Sequence, residues 1–394
     1  MVKVKMYPAL NGDCFLIRGA GANVLIDGGY ADTFEQHLKP DLLQIARECE
    51  RLDLLIATHI DQDHILGVIA LLEANGASSP RALVEVAAVW FNSLRGLAAE
   101  VSSALPSASR RLLAAISRQG YQPRPNASAA TQISARQGSS LGSIVRRGGY
   151  NWNGGDGSVC IKESTGSTDI SSGAVVRVLG PTAQRLEDLH TLWIRELKKR
   201  GYAGPFGSSN ELDEAFEIAC NRVPAQQSPR IAQISSPAGR TLEDVYVADR
   251  SVTNGSSISV LLTVGGTRTL FLGDAWAEDT VDAVKKLRDE GQSLHFHAIK
   301  ISHHGSFQNT SPDLLALIDA PNYFVSSNGA IHEHPDIEAL KAIVDRPTTF
   351  TRTLHFNYAG PASSALRAHQ PASGAGFVVV DNSTDWVDIG EQEK

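Results

Sequence analysis

The chain opens on a two-residue rhythm, with apolar Val2, Val4 and Met6 alternating with Lys3 and Lys5. That period predicts a first strand with one face turned to a core. Short apolar runs recur at Val24-Leu25-Ile26, Leu54-Leu55-Ile56-Ala57, Leu270-Phe271-Leu272, Ile299-Lys300-Ile301 and Tyr323-Phe324-Val325. Gly or Ser near their ends lets the backbone turn, so these runs predict strands. Leu42, Leu43 and Ile45 predict a helix within residues 40–52, and another follows His64. Leu186, Leu189, Leu192, Trp193 and Leu197 fall at helical spacing and predict a helix over 182–200. It closes on Lys198-Lys199-Arg200, cations that a helix C-terminus favours. Residues 208–220 predict a further helix, 226–240 a Pro/Ser-rich loop, and 377–380 a late strand. There is no internal repeat.

The ends of the strands carry the chemistry. His59-Ile60-Asp61-Gln62-Asp63-His64 packs two imidazoles and two carboxylates behind the run 54–57. A loop leaving a strand can point His59, Asp61 and Asp63 inward together, with His64 beside them. Four such donors exceed what one tetrahedral ion usually takes from a single loop, so the spacing predicts two ions. Asp27 ends the run 24–26 before Gly28-Gly29, and Asp274 follows 270–272 after Gly273. His303-His304-Gly305-Ser306 closes the run 299–301, and His332-Glu333-His334-Pro335 comes after 323–325. Five strand ends bearing acids or histidines predict a binuclear hydrolase site.

This order of motifs resembles the metallo-β-lactamase superfamily, which implies an α/β fold, the αβ/βα four-layer sandwich. The likeness is nearest to the hydrolase domain of ComEC-type DNA-uptake proteins and to phosphorylcholine esterases. The superfamily's usual motif is His-x-His-x-Asp-His; Asp61 stands here in place of the second His, as is typical of the ComEC-type branch. Asn11-Gly12-Asp13-Cys14-Phe15-Leu16-Ile17 resembles that branch's opening strand, and Asn254-Gly255-Ser256-Ser257-Ile258 its Asn-x-x-Ser strand. The likeness covers roughly residues 1–75 and 245–345. It implies His59 and Asp61 on one ion, Asp63 and His64 on the other, Asp274 bridging, and His304 as a further ligand. His303 would then face the substrate, with His334 as phosphate contact or proton donor, although which of His303 and His304 binds metal stays open. Asp63, His303 and His334 are the residues expected to serve the reaction. Asp27 is expected to hold a ligand histidine or the loop backbone. The superfamily's additional histidine has no clear match, since His190 alone lies between the loop and Asp274, in mid-helix.

Length and charge then narrow the picture. A chain of 394 residues with 42% hydrophobic content can bury a large core. We expect a single metallo-β-lactamase domain over 1–394, with 76–244 as a long helical and loop insertion. A formal net charge of −7 argues against a wholly basic nucleic-acid binder. Within 101–155, however, there is no acidic residue, while Arg110, Arg111, Arg118, Arg124, Arg136, Arg146 and Arg147 are present. Tyr121, Tyr150 and Trp152 sit among them, and the expectation is a face that grips phosphates while aromatics stack bases. A solvated surface is the plainer reading. Cys14, Cys49, Cys160 and Cys220 form no Cys-x-x-Cys pair and are expected as buried free thiols in a cytoplasmic protein. No apolar run reaches the roughly 18–20 residues of a membrane span. His295 and His297, like His37, His355 and His369, are expected to pack or lie at the surface.

The expected activity is that of a metal-dependent phosphodiesterase, a nuclease cleaving DNA through a hydroxide bridging two divalent ions. Asp61 enriches the site in oxygen, which suits manganese or magnesium, with zinc also compatible. The alternatives are a small-molecule hydrolase of phosphodiesters, lactones or thioesters with the insertion as a lid, or a catalytically silent interaction subunit. Soluble relatives of this kind resemble components of bacterial defence, which implies a regulatory or activating protein partner.

Overall fold

The computed structural model describes residues 1–121, 140–223, 240–330 and 333–390. In chain order the strands are β1 (Val2–Met6), β2 (Phe15–Gly19), β3 (Ala22–Ile26), β4 (Leu54–Ile56), β5 (Val89–Trp90), β6 (Ser167–Ser171), β7 (Ala174–Gly180), β8 (Ser259–Val264), β9 (Thr267–Phe271), β10 (Ala298–Lys300), β11 (Asn322–Val325), β12 (Arg352–Phe356), β13 (Phe377–Val380) and β14 (Trp386–Ile389). The longer helices are α1 (Lys39–Arg47), α2 (Gln62–Asn75), α3 (Ser107–Ser117), α4 (Leu141–Gly148), α5 (Ala183–Lys199), α6 (Asn210–Asn221), α7 (Ala277–Asp289) and α8 (Ile337–Val344). The chain divides into two compact units, one of residues 1–22, 162–181 and 225–394, the other of 23–161 and 182–224.

In the first unit β1 pairs antiparallel with β2 and with β14. A sheet of eight strands runs in the order β13-β12-β11-β10-β9-β8-β7-β6. Its strands are parallel from β13 to β9 and antiparallel from β9 to β6. Leu261, Leu270, Ile299, Tyr323 and Leu354 of this sheet are buried in one core with Val284 and Leu287 of α7 and Leu340 and Ile343 of α8. Fully burying one such side chain contributes about 1.5–3 kcal/mol, so this layer is a main source of the unit's stability. The β6–β7 hairpin lies within the span 76–244, yet β7 pairs with β8 along its length. Ala174, Val176 and Val178 face inward at the period of a strand, so part of that span is integral to the sheet.

In the second unit β3, β4 and β5 run parallel, in register at Ile26–Ile56 and Ile56–Trp90. All three are buried along their length, as near-continuous apolar runs in parallel sheets are. Gly28 and Gly67 let the end of β3 meet α2 backbone to backbone. A Cβ on Gly67 would lie 1.9 Å from the Gly28 carbonyl oxygen, which leaves room for hydrogen alone. Two hydrogen bonds fasten the crossing, Gly28 N to His64 O and Gly67 N to Gly29 O, each 2.8 Å. α6 packs against α3, α4 and α5, and α4 also meets α2.

The helices expected over 40–52, 182–200 and 208–220 are α1, α5 and α6. α1 stops early because Cys49 turns the chain at φ 59°. Asn254 lies in a short helix, Val252–Gly255, and β8 begins only at Ser259, which corrects the expected strand over 254–258. Most of the expected loop over 226–240 falls outside the described residues, as does His332. All four cysteines are free; three are buried, and Cys49 is exposed. Among the described residues no helix is long and apolar enough to cross a membrane.

Candidate functional site

The loop of the second unit is built from β4 outward. β4 delivers Ala57, Thr58 and His59, and α2 starts at Gln62 with Asp61 as its N-cap residue. The Asp61 carboxylate makes no capping hydrogen bond. Asp63 sits in the first turn, where the helix dipole favours a negative charge. Beneath them lies Asp27, 1% exposed. Its Oδ1 accepts from Thr58 N at 2.7 Å, and its Oδ2 accepts from Thr58 Oγ1 at 2.8 Å and lies 2.8 Å from His64 Nδ1. A carboxylate only accepts, so His64 carries its proton on Nδ1 and presents the Nε2 lone pair. Thr58 has given its one proton to Asp27, so it accepts from His59 Nδ1 at 3.1 Å. His59 therefore also presents Nε2. The two rings have centroids 4.2 Å apart, and His59 Nε2 lies 3.6 Å from Asp61 Oδ2. Donor atoms of His59 and His64, and of Asp63 and His64, fall within 4.8 Å of each other.

A second cluster gathers at strand ends of the first unit. Asp274 follows β9, and its backbone N–H donates to Ser257 Oγ at 3.2 Å. After β10 the chain turns through His303 and His304, both left-handed at φ 45° and 56°. Each non-glycine residue held this way costs about 1–3 kcal/mol, a strain that surrounding bonds must offset. His304 is 3% exposed; its Nδ1 donates to Ser326 O at 3.0 Å, and its Nε2 lies 3.7 Å from Asp274 Oδ2. His303 is more open, with Nδ1 2.7 Å from Asn309 Oδ1 and Nε2 3.7 Å from Asp274 Oδ2. His334 has its ring 5.3 Å from that of His303. Burial lowers the His334 pKa, while Asp336, 3.1 Å from Nδ1, works against that shift.

Sequence reasoning gave no role to Lys300 and Asp13. Lys300 is 1% exposed and ion-paired to Asp13, donates to Gly273 O at 3.0 Å and lies 3.8 Å from Asp274 Oδ1. Asp13 Oδ1 in turn lies 3.3 Å from His304 Nδ1. The available signal was a lysine inside an apolar strand run. Asp249, which contacts Asn254 and Asn309 beside His303, left no such trace.

The arginines divide. Arg110 and Arg111 are exposed on α3; Arg147 is exposed and Arg146 half-buried at the end of α4. Burial raises the pKa of Asp213 and of Glu73, and the nearby Arg146 and Arg147, respectively, work against that shift. Carboxylates from α6 and α2 thus compensate a stretch that has none of its own. Tyr121, Tyr150 and Trp152 are buried, at 1%, 5% and 1% exposure. Tyr121 bonds Glu217, Tyr150 donates to Gly76 O at 2.9 Å, and Trp152 donates to Phe91 O at 2.7 Å. These rings fill the interior of the unit, which corrects the expectation that they stack bases. Arg124 and Arg136 fall outside the described residues. His190 is half-buried on α5, and burial lowers its pKa. His295 is exposed, His297 accepts from Arg268 N, and His355 is buried with a pKa near 4.

Residues 7–131 match the family model of the metallo-beta-lactamase superfamily. No curated protein matches the chain. Among solved structures, the metallo-beta-lactamase fold protein YhfI from Bacillus subtilis is similar at 8% identity, over 98% of this chain and 100% of that one, with a TM-score of 0.38. The matched stretch runs from β2 through α3 and includes the loop His59–His64. The fold is mixed α/β, and residues 7–131 carry the pattern of a superfamily that consists largely of metal-dependent hydrolases. The donor chemistry fits a divalent ion: imidazoles held with Nε2 presented, beside carboxylates, with a buried acid behind His64.

Proposed function

We propose that this chain is a metal-dependent phosphodiesterase acting on nucleic acid, with DNA as its substrate. The observation that carries this reading is the loop in which Asp27 and Thr58 hold His64 and His59 as Nε2 donors beside Asp61 and Asp63. The candidate metal donors of the loop are His59, Asp61, Asp63 and His64, and the first unit carries its own candidates, Asp274 and His304. The oxygen-rich set suits two ions of manganese or magnesium, with zinc also compatible. Divalent ions supply Lewis acidity and a hydroxide at neutral pH, which phosphodiester cleavage needs. His304, fixed by Ser326 O, serves as ligand, while the more open His303 meets phosphoryl oxygens. His334, its pKa lowered by burial, contacts phosphate or passes a proton to the leaving oxygen. Arg110 and Arg111, aided by Arg146 and Arg147, attract the polyanion. The resemblance of Asp61 and its loop to the ComEC-type branch supports the nuclease reading.

Burial of Tyr121, Tyr150 and Trp152 favours a second reading, a hydrolase of small phosphodiesters, lactones or thioesters. One panel separates the two: single- and double-stranded DNA, RNA and a chromogenic phosphodiester, each with manganese, magnesium and zinc. Cleavage of DNA that a chelator abolishes supports the nuclease. Turnover of the chromogenic ester with nucleic acid left intact moves the assignment to a small substrate. No turnover with any metal sinks both.

A further inference from the structure

His303 is held by a network whose polarity can be read atom by atom. Asn309 is fully buried, and its Nδ2 faces three acceptors, Asp249 Oδ2 at 3.0 Å, Asp274 O at 3.1 Å and Ala275 O at 3.3 Å. That fixes the amide, leaving Oδ1 toward His303 Nδ1 at 2.7 Å. An amide oxygen only accepts, so the proton of this short bond belongs to His303 Nδ1; Asn254 Nδ2, 3.4 Å from the same nitrogen, is the longer contact and donates instead to Asp249 at 2.8 Å. Asp249 enforces the arrangement from behind. Its Oδ1 accepts from Ser251 N at 2.8 Å, and its Oδ2 accepts from Asn254 Nδ2 at 2.8 Å as well as from Asn309. The Asp249 Oδ2 also lies 3.9 Å from His303 Nδ1.

We propose that Asp249, acting through Asn309, is the positioning residue that fixes His303 as its Nδ1–H tautomer with Nε2 as the working atom. This rests on the reading of His303 as the residue that meets the substrate. The strained turn at His303 and His304 gives the device its purpose. A ring carried on such backbone needs an external partner to choose its orientation, and Asn309 supplies one six residues on. Asn254 belongs to the same device, since it holds Asp249 rather than pairing in β8. A histidine whose ring nitrogens are assigned by an acid behind it can act at the other nitrogen without first reorienting.

The test reads the tautomer directly, with side-chain ¹⁵N–¹H correlation spectra of the full chain loaded with zinc, which is diamagnetic. His303→Gln identifies the His303 signals. The wild type should show a single Nδ1–H pattern, which Asn309→Ala converts to a mixture and Asp249→Asn shifts the same way. On the chromogenic phosphodiester, both variants should lose 10- to 100-fold in kcat with KM within twofold and zinc content unchanged. An Nε2–H pattern in the wild type, or an unchanged tautomer in folded Asn309→Ala, overturns the proposal. A lower thermal midpoint with the tautomer unmoved also counts against it, because that is a purely structural role. A wild type without phosphodiesterase activity sinks the functional reading, while the spectra still decide the tautomer.

Discussion

Asp27 Oδ2 lies 2.8 Å from Nδ1 of His64, joining residues 37 apart in the sequence. The contact is buried on both sides, at 1% and 0% exposure, and the same carboxylate anchors Thr58 through its backbone and hydroxyl. One acid thereby sets the tautomer of His64 directly and that of His59 through Thr58.

Asp27→Asn should therefore weaken metal binding without removing a metal donor. An amide cannot accept from Thr58 and His64 at both of its heavy atoms, so one histidine loses its orientation. Loss of such a partner typically costs 10- to 100-fold in affinity. A zinc competition titration measures it, and unchanged affinity would reduce Asp27 to a packing residue.

The sequence made the candidate donors legible because each sits where an apolar run stops, a purely local pattern. His59, His64, Asp274 and His304 needed no knowledge of tertiary structure to be singled out. What holds them was harder to see, since Thr58, Asp249 and Asn309 are ordinary polar residues until folding brings their partners near. The partners of the arginine stretch were hidden for the same reason: Glu73 and Asp213, which lie near Arg147 and Arg146, come from other segments. The β6–β7 hairpin was a missed local signal, because Ala174-Val175-Val176 and Val178-Leu179 form an apolar, β-branched run of strand length.

Glu217 makes stability depend on pH. Burial raises its pKa from 4.5 to about 7, although Tyr121 and the Leu141 and Gly142 amides favour the charged form. Neighbouring Asp213, pushed up to about 6, adds to the effect. A raised carboxyl pKa means that the folded state binds more protons between these values than the unfolded state. Stability from this source is therefore full below about 4.5 and is lost as pH rises through about 7, on the order of 3 kcal/mol. Glu217→Gln should flatten the dependence and raise the urea midpoint at about pH 8. If its midpoint tracks the wild type at both ends of the range, Glu217 is not the group responsible.

Asp63→Ala and Asp274→Ala test the metal assignment. Each removes a charged oxygen donor, so bound metal should fall and hydrolysis be abolished, with the fold retained by circular dichroism. Elemental analysis of the purified wild type should find up to two divalent ions per chain. If no metal is bound and added manganese or zinc restores no activity, the hydrolase reading is wrong.

The exposed arginines separate the two proposed substrates. Each phosphate neutralised by an arginine releases counterions, so affinity for DNA should fall steeply with salt. Replacing Arg110 and Arg111 on α3 with Ala should weaken DNA binding and flatten that slope by roughly one for each phosphate no longer neutralised. Arg146→Ala and Arg147→Ala should do less to DNA and more to stability, because Asp213 and Glu73 lose a compensating charge. Hydrolysis of the chromogenic phosphodiester needs no polyanion track and should stay near the wild-type rate in Arg110→Ala and Arg111→Ala. An unchanged salt slope in that pair would remove α3 from the DNA-binding surface and leave the small-molecule hydrolase as the better account.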